Sequence, residues 1–256
     1  MKRLSKEDLG SFAPIPFYNL KIYKPTIKEI DEMGYDRYNY LSALLTISQE
    51  DLDAMEIEQK EKDISFELTT DNPYEYQIVA SQSLAYFLEL RLAFFTYLKR
   101  DIKIENSQIV VLNTTIDVLT EKEKEDNFIF TSETFFEFQA ILRQINCLEE
   151  AEEPEIKAPD GPMKQKFLDA RKKLRLAKAK ERRKKAKVED SAFSIFVLEL
   201  ALCAMSTYTL ESIQSLTIYQ LNSQFALCQQ HENYLIENEY RCAGAKIKPK
   251  NWIYLK

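Results

Sequence analysis

The chain has 256 residues, with 35 Lys and Arg against 41 Asp and Glu, 45% hydrophobic residues and a net charge of −6. This is enough apolar material for one large domain or two small ones. Four glycines are too few for a fold rich in tight turns or phosphate-cradling loops, and the single histidine, His231, excludes any site that needs two.

Residues 1 to 24 read as a leader with one strand. Phe12, Ile15, Phe17, Leu20, Ile22 and Tyr23 are separated by Pro14 and Pro16, which forbid a helix. Thr26-Ile27-Lys28-Glu29 is a capping box, and the helix it opens runs through Ile30 and Met33 to Gly34. A second helix carries Tyr38, Leu41, Leu44 and Leu45 on one face, and Ser48 with Asp51 opens a third through Leu52, Met55 and Ile57. After the turn at Asp71-Asn72-Pro73, helical spacing holds from Tyr74 to Lys99. Ile78, Leu84, Phe87, Leu88, Leu92, Phe95 and Leu98 are expected to be its buried side. Ile102–Ile104 and Ile109–Leu112 flank a polar turn and predict a hairpin, to which Phe128–Phe130 adds a short strand. Ser132 then caps a helix carrying Phe135, Phe136, Phe138, Ile141, Leu142 and Ile145.

An acidic, proline-containing stretch follows at 149–163 and reads as a linker between two parts, 1–148 and 164–256. The second part opens on a basic helix. Residues 164–187 hold 13 Lys or Arg and only Asp169 and Glu181, leaving 22 basic against 39 acidic residues elsewhere. Arg171, Arg175, Arg182 and Arg183 form the candidate basic patch. Thirteen cations on about six turns of helix suit nucleic-acid phosphates, with strong salt dependence. Without aromatics beyond Phe167, base stacking is unsupported, and the same residues read first as a solvated helix or linker that meets the acidic remainder of its own chain or a neighbour. Ala192–Ala204 is apolar nearly all round, which suits either a central core helix or one covered by a partner. Thr209–Leu216 is a short helix. Thr217 with Gln220 makes a further capping box, opening a helix through Leu221, Phe225 and Leu227 toward Tyr240 and Gly244. The starts Thr26–Ile30 and Thr209–Ile213 echo one another, as two similar helix openings do. The expected class is mainly α: a helical N-terminal domain with a small hairpin, a basic linker helix and a C-terminal helical bundle.

No constellation carries chemistry. His231 lies in a polar helix segment without a nucleophile to serve, and no G-x-x-x-x-G-K-[ST] loop occurs. Glu121, Glu123, Glu125 and Asp126 form a solvated run. Cys147, Cys203, Cys228 and Cys242 have no metal-ligand spacing and read as reduced structural thiols. An enzyme, a cofactor and a metal are therefore not expected. With no run of about 18 apolar residues, neither is a membrane span. The opening residues lack a secretory signal, so the chain is expected to stay in the cytoplasm where it is made.

The C-terminal motifs Tyr208-Thr209-Leu210-Glu211-Ser212-Ile213 and Leu216-Thr217-Ile218-Tyr219-Gln220-Leu221, then Gly244-Ala245-Lys246 and Trp252-Ile253, resemble a family from the tail-gene region of long-tailed phages and prophages of Gram-positive bacteria. Its members show an L-T-x-Y-Q motif and a G-x-K…W tail. Tyr23–Ile30 with Tyr38 and Leu41 is similar to the family's opening, and Phe135-x-x-Phe138 with Ile145-Asn146 to its middle helix. The resemblance implies a tail assembly chaperone acting in the host cytoplasm. Such a protein coats the tape-measure protein and recruits tail-tube subunits, with self-association also open and no catalytic residues. A structural tail or neck component is the alternative within the virion, and a nucleic-acid-binding module the alternative outside it. Phe193, Phe196, Val197 and Leu200 on one side, with Leu216, Tyr219 and Phe225 on the other, are the candidate partner groove; the same residues suit the packing of a C-terminal core.

Overall fold

The computed structural model describes residues 4–49, 51–52, 72–117, 122–148 and 195–243. The expected linker, the whole basic block with Arg171, Arg175, Arg182 and Arg183, and the tail with Trp252 lie outside them. The described residues are mainly helical, with small antiparallel ladders and a C-terminal helical region.

Helix α1 (Lys6–Gly10) is capped by Ser5 and Asp8. The opening segment then forms a hairpin where one strand is expected. β1 (Ile15–Phe17) pairs with β2 (Leu20–Ile22), turning at Tyr18 with φ 52°. Alternation explains the burial: Ile15, Phe17, Leu20 and Ile22 face in, while Pro16 and Lys21 face out. α2 (Ile27–Met33) starts at the capping box, with Thr26 accepting from the Glu29 amide and Glu29 from the Thr26 amide. It ends at Gly34, whose φ of 91° favours glycine. α3 (Tyr35–Thr46) follows directly, and Ser48 and Asp51 make their reciprocal cap beyond it.

The expected helix from Tyr74 to Lys99 is two helices, α4 (Pro73–Ala80) and α5 (Leu84–Leu98), separated at Ser81-Gln82-Ser83. β3 (Ile102–Glu105) and β4 (Gln108–Val111) form the predicted hairpin, and β7 (Phe128–Ile129) pairs with β4. Between them β5 (Thr114–Asp117) pairs with β6 (Lys122–Glu125), which carries Glu123 and Glu125 of the acidic run; Glu121 lies outside the described residues. α6 (Ser132–Ile145) is capped by Thr131, one residue before the expected Ser132. The C-terminal region is α7 (Ile195–Met205), α8 (Leu210–Gln214) and α9 (Ile218–Cys242), the last two opened by the Thr209 and Thr217 boxes.

Phe17, Phe94, Phe130, Phe135 and Phe138 centre the core. Phe94 stacks on Phe138 with ring centroids 5.6 Å apart, and Phe130 meets both. Aromatic pairs of this kind add about 1 kcal/mol each beyond their buried area. Inside lies a closed hydroxyl network. Tyr97 Oη accepts from Ser42 Oγ at 2.6 Å and from Asn146 Nδ2 at 3.0 Å, and donates to Tyr38 Oη at 3.1 Å. It ties α3, α5 and the end of α6 into one register, since buried polar groups that find partners specify a geometry. Gln139 and Arg143 of α6 donate to the carbonyls of Leu45, Thr46 and Ile47, satisfying the open end of α3.

Leu198, Leu202, Ile213, Leu216, Ile218 and Leu221 join this same core from beyond the expected linker. The seam is polar as well as apolar. Thr26 and Thr217, each a helix cap, pair as an isolated antiparallel bridge, and the Ile27 amide donates to Leu216 O at 2.8 Å. Gln220 Nε2 donates to Gly10 O at 2.7 Å.

Candidate interaction surface

α5 is apolar on every side, so its periodicity cannot say which side folds inward. Leu90, Ala93, Phe94, Tyr97 and Leu98 are buried. Leu84, Leu88, Leu92 and Phe95, expected in the core, instead face solvent at 71%, 50%, 36% and 50% exposure. The core had a choice of two apolar faces and took the one bearing Phe94 and Tyr97, whose ring and hydroxyl have partners inside. The two charged residues of α5 are both held by their own chain. Arg37 pairs with Glu89 at 2.5 Å, and Arg91 forms a two-point pair with Asp101. That pair draws the Asp101 carboxyl below its ordinary range.

α7 repeats the pattern. Leu198, Glu199 and Leu202 point inward, while Val197 and Leu200 lie exposed. Glu199 accepts from Tyr35 Oη at 2.9 Å. Burial pushes the Glu199 carboxyl up, the Tyr35 hydrogen bond works against this, and nearby Asp31 pushes it further up. Burial and the same carboxylate raise the Tyr35 phenol. α9 starts in the core with Ile218 and Leu221 and then leaves it. From Gln229 to its end no residue is buried, and Leu235, Ile236 and Tyr240 are exposed.

The candidate groove residues therefore divide. Val197 and Leu200 are open, Tyr219 and Phe225 are half-buried against the core, and Leu216 belongs to the core itself. Phe193 lies outside the described residues, and the side chain of Phe196 is not described. α7 and α9 pack on one another, so the open pair borders the half-buried pair's helix. His231 is exposed on α9. None of the four cysteines is in a disulfide, and no cluster with metal-ligand character occurs among the described residues. Among them, too, no helix is long and apolar enough to cross a membrane.

This C-terminal region is where the chain meets a known family. Residues 198–254 match the family model of the YomV second domain, a phage-derived family. The match takes in most of α7, all of α8 and α9, and the tail beyond the described residues. It contains Leu200, Leu216, Tyr219 and Phe225 but begins after Val197. No curated protein and no solved structure matches the chain.

Sequence reading missed the outward face of α5. One signal was available: the helix has only two charged residues in fifteen, fewer than a surface helix needs to wet one side.

Proposed function

We propose that this chain is a non-enzymatic tail assembly chaperone of a long-tailed phage, acting in the host cytoplasm. It holds the tape-measure protein and brings tail-tube subunits to it. The observation that carries this reading is the surplus of exposed apolar helix surface, on α5 and again on α7, in a chain whose residues 198–254 are similar to a phage-derived family. A soluble protein leaves single apolar residues exposed without consequence, but rows of them mark contact sites. A tape-measure protein is a long helical chain with apolar stripes that need cover until the tube closes. Helix faces with polar rims give a grip that is repeated and reversible. The likeness of the L-T-x-Y-Q and G-x-K…W motifs to tail-region proteins supports the same reading.

The test is a tagged pull-down from infected cells, nuclease-treated and washed at high salt, paired with analysis of purified virions. Recovery of tape-measure and tail-tube proteins, with no bait in virions, is the expected result. Stoichiometric bait in virions would make it a structural tail protein. Loss of all partners after nuclease and salt would shift the function to nucleic acid and residues 164–187.

A further inference from the structure

The outward face of α5 has a definite shape. Leu84, Leu88, Leu92 and Phe95 are spaced by four, four and three residues, which places them on one side of the helix. They run for about 16 Å, or three turns. Steps of three and four are those of a seam that seats a second helix at a shallow crossing angle. Arg91 lies within this face and Glu89 at its flank, both in ion pairs with their own chain. The face thus asks for no charge on whatever covers it.

Size selects the occupant. Taking roughly 200 Å² for a fully exposed large apolar residue, the stated exposures sum to about 400 Å². That falls among the patches of a few hundred Å² that mark interaction sites and well short of the roughly 800 Å² per partner of a stable dimer. A second copy also brings the same net charge of −6. We infer that the Leu84–Leu88–Leu92–Phe95 face of α5 is a docking site for a three-turn amphipathic helix of another protein, one whose apolar seam has uncharged flanks. The contact is weak singly and gains strength by repetition along a long partner. This rests on the chaperone reading for the identity of the partner, not for the existence of the face.

The experiment uses the full chain and two probes in fluorescence anisotropy. One is a three-heptad amphipathic peptide with leucine at its seam and uncharged flanks; the other is a set of overlapping peptides from the tape-measure protein. Both should bind, with little change as salt is raised. Leu84→Glu with Leu88→Glu should weaken binding about tenfold or more, the order expected when two leucine contacts are lost. Leu84→Lys with Leu88→Lys should do the same, because apolar contact rather than charge is removed. Both pairs should keep the wild-type circular dichroism and melting temperature. Binding that survives these changes but is lost in Val197→Glu with Leu200→Glu would move the site to α7, overturning the inference and leaving the chaperone reading intact. Designed-peptide binding through α5 with no tape-measure peptide bound would keep the face and refute the chaperone reading. A dimer that these substitutions convert to monomer would overturn the inference in favour of a second copy. So would a large fall in melting temperature, by showing that the chain's own residues cover the face.

Discussion

α5 and α6 share the stacked pair Phe94 and Phe138, yet they meet solvent in opposite ways. α6 buries Phe135, Phe138, Ile141, Leu142 and Ile145, and exposes only Phe136 among its large apolar residues. Its apolar content is accounted for by folding. α5 buries as complete a face and still leaves Leu84, Leu88, Leu92 and Phe95 outside. Folding does not use that second face, so its composition needs another cause. An exposed apolar row invites aggregation unless something covers it.

The largest loss is expected at the shared stack. Phe94→Ala and Phe138→Ala should each cost about 3–5 kcal/mol, the range for large aromatic truncations in a core. Denaturant unfolding measures this, and equal, large losses on both helices are expected. If either is mild, the two inner faces are not equivalent. Next comes the hydroxyl network. Tyr97→Phe deprives Ser42, Tyr38 and Asn146 of their common partner and should cost about 1–3 kcal/mol, as for buried groups left unsatisfied. The outer face of α5 should be far more tolerant: Leu84→Glu or Leu88→Glu should stay within about 0.5 kcal/mol of wild type, as surface changes do.

The last effect is one of sign and pH, at the seam of α7. Burial raises the Glu199 carboxyl in the folded chain above its ordinary value of 4.5. Ionised Glu199 therefore opposes folding, with no penalty below the unfolded value and the full penalty above the raised folded one. Glu199→Gln keeps an acceptor for Tyr35 and removes that penalty. The variant should be the more stable at neutral pH, with the advantage shrinking toward zero as pH falls below about 4.5. Paired melting curves across pH give the sign directly. An advantage that grows on acidification would mean that the carboxylate is stabilised where it sits.

Much of the fold was legible because local chemistry decided it. The Thr26 and Thr217 caps stand where their spacing placed them, since a capping box satisfies its helix end from its own residues. The β3–β4 hairpin followed from β-branched runs on both sides of a polar turn, and α6 from its cap and apolar spacing. What escaped depended on distant partners. The choice of inner face on α5 was set by what Phe94 and Tyr97 meet across the core. Among the described side chains of the candidate groove, only α7's outward pair, Val197 and Leu200, emerged exposed. Leu216 went inside because the bridge at Thr26 and Thr217 carries that turn into the core, a contact nearly two hundred residues apart in sequence.

The most direct measurement is co-expression of the tape-measure protein with wild-type chain or with Leu84→Glu and Leu88→Glu, scored by the fraction of tape-measure protein that stays soluble. The wild type should hold it in solution, and the variant, equally folded, should let it precipitate. Equal solubility with both would contradict the claim that the outer face of α5 exists to cover a partner.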